Sequence, residues 1–229
     1  MMYIKWAVLA LLDWVLLITI PIAAPLAMSN KIKSVDFIKA FISFVFLFVV
    51  NVFFVLSGLL FVALGIPFRV DGFSVSDGRP IVNLPKWLYP YGNDFDGLLG
   101  DKRFWYANNT PFGVPVDSFL AMYNWAALRN PCNNLRMLDM FNAKIAGSTF
   151  SYLGDYIVED DPGEGGWQFV KCVDVDGKVR YGLYVVKPYF FNPKYAFVIR
   201  WGFKVQPKDA GTVDMPKGFV TKISFWKEL

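Results

Sequence analysis

Asp94, Asp96 and Asp101 fall within eight positions of one another in the stretch YGNDFDGLLGDKRFWY, residues 91–106. Oxygen-only ligands at that spacing suit Mg²⁺ or Ca²⁺, and would equip a metal-dependent hydrolase. The calcium loop of an EF-hand wants acids or amides at positions one, three and five, glycine at six and glutamate at twelve. With Gly97 at six, Asp94 and Asp96 fit, but position one is Gly92 and position twelve is Arg103. That loop is therefore excluded and a looser divalent site remains. Against it stand two other readings: a turn whose Asp and Asn side chains cap their own backbone, paired with Lys102 and Arg103, or a partner-binding surface. The turn carries more weight. The chain has no histidine and only Cys132 and Cys172, too few ligands for a zinc site. Those cysteines form one disulfide if exported, or are two small buried residues, the reading we favour. No phosphate-loop, Rossmann, G-x-S-x-G, H-E-x-x-H or kinase signature is present. EDDPGEGG, residues 159–166, reads as a solvated turn, and NNT at 108–110 matches a short glycosylation sequon.

Whatever positions these residues is set by an uneven composition. Apolar residues make up 55% of the 229 and charged residues 18%, an imbalance that points to lipid contact. It is localised. Residues 6–28 hold a single charge in 23 positions, and residues 40–66 hold none in 27. Both exceed the roughly 20 apolar residues a helix needs to cross a bilayer. A cleaved signal peptide fits poorly, because a second apolar segment follows at once. The expected architecture is a transmembrane helical hairpin over 1–66, spans about 6–28 and 40–66, followed by a water-facing domain over 67–229. Asp13 interrupts the first span. In an antiparallel hairpin turning near Ile32 it lies opposite Asn51, the one amide of the second span, and the two are expected to pair. The alternative is a shallow, wetted Asp13. Beyond residue 66 the chain has 19 basic and 17 acidic side chains, too even to argue for nucleic acid.

The later segment reads as membrane-anchored α+β. FRVDGFSV suggests a short hairpin. SFLAMYNWAALR, residues 118–129, is the main helix, with Asp117 as its cap and Asn130-Pro131 as its stop. WQFVKCVDV-DG-KVRYGLYVV is a hairpin about an Asp-Gly turn. YAFVIRWGFKV alternates, with Tyr195, Phe197, Ile199, Trp201, Phe203 and Val205 on one face; FVTKISFW follows. Together these give an antiparallel β-meander of about four strands whose aromatic face needs a cover, expected from the 118–129 helix. In LPKWLYPYG, Lys86, Trp87, Tyr89 and Tyr91 have the mixed character of headgroup-layer anchors, or of ordinary core.

The order of motifs resembles a group of small uncharacterised proteins encoded by tailed bacteriophages. The positions that carry it are Asp94, Asp96, Asp101, Trp105, Tyr123, Trp125, Arg129, Asn130, Pro131, Arg200, Gly202 and Lys204. The resemblance implies a phage source and a bacterial host, and no mechanism. A structural gloss is that Arg129 and Arg200 clamp the acidic loop through bidentate pairs. The expectation is a non-enzymatic protein of the host inner membrane, its domain on the cytoplasmic side. Its partners are the lipid bilayer, an unidentified host or phage protein, and a second copy of itself in a homo-oligomer. No nucleic acid and no cofactor is expected beyond the Mg²⁺ or Ca²⁺ of the alternative hydrolase. A virion component delivered to the membrane is the other alternative.

Overall fold

The computed structural model describes residues 32–100, 113–212 and 216–229. The first apolar segment, and with it Asp13 and one rod of the expected hairpin, lies outside the described residues. The second forms a helix, α1 (Ser34–Gly65), of 32 residues. It starts six residues before the expected span, because Asp36 at the third helical position reaches back to accept from the Lys33 backbone N–H at 3.0 Å. It stops where Pro67 follows Ile66.

Two antiparallel sheets follow. A hairpin pairs β1 (Val70–Phe73) with β2 (Pro80–Asn83). Its turn is at the second Asp-Gly pair, where Gly78 has φ +70°, not at the Asp71-Gly72 pair that marked FRVDGFSV as a hairpin by itself. The large sheet comprises β3 (Asn142–Ala143), β4 (Thr149–Gly154), β5 (Gly166–Val173), β6 (Val179–Tyr189), β7 (Asn192–Phe203) and β8 (Lys217–Glu228). Its order is β3-β8-β7-β6-β5-β4. The expected four-strand meander is β5 to β8, extended by β4 at one edge and β3 at the other. The β5–β6 turn forms as the Asp-Gly signal requires: the Asp174 carboxylate accepts from Asp176 N at 3.0 Å and Lys178 N at 2.8 Å, and Gly177 takes φ +76°.

The main helix is shorter and differently capped than expected. α2 (Phe119–Tyr123) is capped by Ser118, not Asp117, whose hydroxyl accepts from Ala121 N at 3.3 Å. It continues as a π-helical turn over Asn124–Arg129 and ends at Asn130. It does not cover the meander. α1 does.

α1 crosses the sheet with one face down. Near its start Asp36, 3% exposed, accepts from Lys171 Nζ at 3.0 Å and from Tyr181 Oη at 2.9 Å. Phe37 stacks on Phe169 at 4.7 Å. Further along, Trp201 Nε1 donates to the Phe44 carbonyl at 3.2 Å and Asn51 Nδ2 donates to Thr221 Oγ1 at 2.8 Å. At the far end Ser57 meets the Tyr91 hydroxyl at 2.9 Å. Two glycines permit the approach. A Cβ at Gly202 (φ +88°) would lie 2.3 Å from the Phe44 ring, and one at Gly65 would lie 2.4 Å from Leu88.

Burial, reinforced by the Asp36 carboxylate, holds the Tyr181 phenol protonated above its ordinary pH 10.0. A folded pKa raised over the unfolded one gives stability that is whole below pH 10 and declines as the unfolded phenol ionises. Alkaline unfolding followed by circular dichroism should therefore steepen above about pH 10 in the native chain and less so in Tyr181→Phe.

Candidate functional site

The acidic loop is the centre of a polar knot that ties three distant segments. Asn83 ends β2. Its Oδ1 accepts from Leu84 N at 2.9 Å and Asn93 N at 3.0 Å, while its Nδ2 donates to Asp94 Oδ1 at 2.6 Å. Asn134 Nδ2 donates to the same Asp94 oxygen at 2.9 Å, and Asn134 Oδ1 accepts from Asp94 N at 2.7 Å. Asn93 Oδ1 accepts from Phe95 N, Asp96 N and Asn133 Nδ2 at 3.1, 3.0 and 2.5 Å. Arg79 pairs with Asp96 at 3.5 Å and reaches the Phe95 carbonyl at 3.3 Å. All four asparagines are at most 8% exposed. Buried amides satisfied this fully rigidify a loop. Gly97 closes it at φ +66°, where a Cβ would fall 2.6 Å from the Val82 carbonyl oxygen.

Two open clefts flank the knot. One, of about 460 Å³, is bordered by Asp71, Asn83, Lys86, Tyr89, Asp94 and Asn134. Burial, with the Asp94 charge, pushes the Tyr89 phenol above its usual range. The other, of about 590 Å³, is bordered by Asp71, Arg79, Asp96 and Gly100. Asp94 and Asp96 thus stand at the cleft walls with amide and guanidinium partners. Asp101 lies outside the described residues, and among those described no group of three or more His, Cys, Asp or Glu is placed to hold a metal.

The remaining motif positions scatter. Trp105 lies outside the described residues. Tyr123 Oη donates to the Leu59 carbonyl at 3.1 Å, fastening α2 to α1. Trp125, 7% exposed, packs with Ala121, Val114 and Val116. Arg129 is exposed at the end of the π-helical turn, and Asn130 N closes that turn on the Trp125 carbonyl at 2.8 Å. Arg200 pairs with Asp160 and lies 4.7 Å over the Tyr184 ring. The guanidinium that Asp96 meets at the loop is therefore that of Arg79, and the expected Arg200 clamp is corrected. Lys204 is exposed past the end of β7.

Of the four anchor residues, Lys86 and Trp87 are exposed, Trp87 at 65% and 6.5 Å from Phe68. Tyr89 is half-buried. Tyr91 is corrected to core: it is 8% exposed, with its ring 5.6 Å from Phe54 and 5.3 Å from Phe61. Sequence reasoning missed Arg79, Asn83, Asn93, Asn133 and Asn134. The one local signal was the asparagine density of GND and CNN. It also missed an aromatic stack at the β6–β7 tip, where Trp226 lies 5.0 Å from Tyr189 and 4.8 Å from Tyr195.

Both cysteines are buried and unbridged. Cys132 has φ +53°, its Sγ donates to the Phe54 carbonyl at 3.1 Å, and burial pushes its thiol up to about 12. Neither thiol should react with Ellman's reagent in the folded protein, and both should react in denaturant.

A model described as a family of unknown function (DUF7338) matches residues 35–229. No curated protein and no solved structure matches the chain.

Proposed function

We propose, for a chain that belongs to this family of unknown function, a membrane-attached protein that acts by binding and not by catalysis. The observation that carries the reading is the open face of α1. Ile38, Phe41, Ile42, Phe53 and Leu56 are 62–67% exposed, and Val49 and Leu60 59%. An apolar stripe running most of a helix about 48 Å long demands a cover. Lipid suits both ends of it: Lys33 and Lys39 are exposed at the start, and Trp87 stands beside Phe68 past the finish. By length and composition the helix is apolar enough to cross a membrane.

Its packed face argues for lying along the surface. A perpendicular crossing would carry Asp36–Lys171, Asn51–Thr221 and the strands beneath them toward hydrocarbon, at roughly 2.5–3.5 kcal/mol for each uncompensated charge. Lying flat keeps the sheet in water and the open face among acyl chains. The crossing hairpin that residues 6–28 would complete is the alternative arrangement. From the resemblance to phage proteins comes a bacterial inner membrane as the setting; a domain on its cytoplasmic side, and a host or phage protein or a second copy as partner, complete the proposal. A virion component delivered to the membrane is the variant that proteomics of purified particles separates. The hydrolase reading needs carboxylates that the knot already occupies. Mg²⁺, Mn²⁺ or Ca²⁺ binding that Asp96→Asn abolishes would restore it.

Flotation tests the attachment. The full-length protein should rise with phosphatidylcholine–phosphatidylglycerol vesicles in a density gradient, and a folded Phe41→Glu/Phe53→Glu/Leu60→Glu variant should stay at the bottom. Equal flotation of the two, or none of the native chain, would remove lipid as the cover.

A further inference from the structure

Beside the knot, and sharing Asn133 with it, is a half-open pocket of about 160 Å³, with room for about five waters. Its wall comes from four separate elements: Asn51 of α1, Asn130, Asn133 and Arg136 of the turn after α2, Lys204 beyond β7, and Phe219 of β8. Arg136 and Lys204 are its charged residues and no carboxylate lines it. We infer that this pocket is a binding site for a phosphate-type oxyanion, held by Lys204 and Arg136 with Asn130 as a neutral donor.

Three observations support the assignment. First, neither cation is neutralised by an ion pair among the described residues. Arg136 spends its guanidinium face on the Phe95 ring, 4.0 Å away, and its buried Nε has no hydrogen-bond partner. A buried N–H of this kind is costly unless something fills the role. Second, the charges acting on Lys204 have one sign, while Asp96 is the acid that acts on Arg136. Although the Lys204 side chain is exposed along its length, desolvation around its ammonium, then Arg136, Arg200 and Lys217, press it below its usual pKa, with no acid opposing them. An oxyanion in the pocket relieves that repulsion and makes charge-assisted bonds to both cations. Third, the amides around the pocket are already fixed: Asn51 by Thr221, Asn133 by Asn93. The site is built before its ligand arrives, which favours affinity. Asn130, Arg136 and Lys204 therefore form a unit whose two cations are 68 positions apart in the chain.

The phosphate can belong to a lipid headgroup or to a soluble phosphomonoester, and one experiment separates the two. The full-length protein in neutral detergent is titrated with inorganic phosphate by calorimetry, chloride holding the ionic strength constant. In parallel, its sedimentation with phosphatidylcholine vesicles is compared with and without phosphatidylglycerol. Lys204→Gln should weaken phosphate binding about tenfold, with Lys204→Arg retaining it. A loss of phosphatidylglycerol preference in Lys204→Gln, without measurable heat from free phosphate, also supports the site and assigns the lipid source. If Lys204→Gln keeps its melting temperature and neither readout changes, the inference is overturned. Should that variant fail to fold, Asn130→Asp, which places a repelling charge in the pocket, is read in the same two assays against the same outcomes.

Discussion

Replacing Asn93 with alanine is expected to cost the fold about 3–4 kcal/mol, among the largest effects of any single substitution here. The side chain is 2% exposed and makes four contacts: it accepts from Phe95 N, Asp96 N and Asn133 Nδ2 and donates to Asp96 Oδ2 at 3.3 Å. Alanine strands two backbone N–H groups and one amide without their acceptor in a part-buried site. Each orphan loses more than the bond was worth, because its hydration is gone as well. Urea unfolding of the full-length protein should show the drop at unchanged slope. Asn134→Ala should be milder, and the pair less than additive, since both act on the same loop. A change below about 1 kcal/mol for Asn93→Ala would mean that the loop is not held by this knot.

Asp36→Ala is expected to be comparably severe, at about 3 kcal/mol. It leaves the Lys171 ammonium and the buried Tyr181 hydroxyl without their acceptor, and removes the bond that starts α1 at Lys33 N. The reason is asymmetry. A buried ion pair adds little over a well-packed apolar pair, but half of one is strongly destabilising. Asp36→Ala combined with Lys171→Met should therefore recover part of the loss. The readout is again the unfolding midpoint. A double variant worse than the sum of its parts would show that the pair does not lock the helix to the sheet.

How much of this was legible in the chain differs by element. The β5–β6 hairpin was, because Asp-Gly between two alternating runs is a local signal and its turn chemistry is local too. The β1–β2 hairpin was half-legible: two Asp-Gly pairs compete within eight residues, both have strand-forming sequence on each side, and the turn forms at the second. α1 was read as one span of a transmembrane hairpin and not as the cover of the sheet. A helix with a sheet on one side and an apolar cover on the other has no polar stripe, so its periodicity vanishes. The packed face was nonetheless marked. Asp36, Ala40, Leu47, Asn51, Gly58, Val62 and Gly65 recur at spacings of three, four and seven, and they combine the helix's acid and its amide with its two glycines.

The acidic loop was legible as a turn but not as a knot. Asn83, Asn93 and Asn134 are far apart in sequence, and the bonds from Asn134 to Asp94 span 40 positions. Nothing in a single stretch announces such partners. The same holds for the Arg136–Lys204 pocket: Asn130 and Lys204 were motif positions but Arg136 was not, and the three meet only because the turn after α2 folds against the β7–β8 end of the sheet.

The central claim is that α1 rests its open face in lipid while its other face holds the domain. Single cysteines at Ile38, Val49 and Leu60, labelled with an environment-sensitive dye beside the buried native thiols, test it most directly. The probe is quenching by lipids spin-labelled along their acyl chains, in phosphatidylcholine–phosphatidylglycerol vesicles. The account predicts blue-shifted emission and similar, shallow quenching at all three positions. Quenching far deeper at Val49 than at the two flanking sites would place the helix across the bilayer, and aqueous emission from all three would contradict lipid contact altogether.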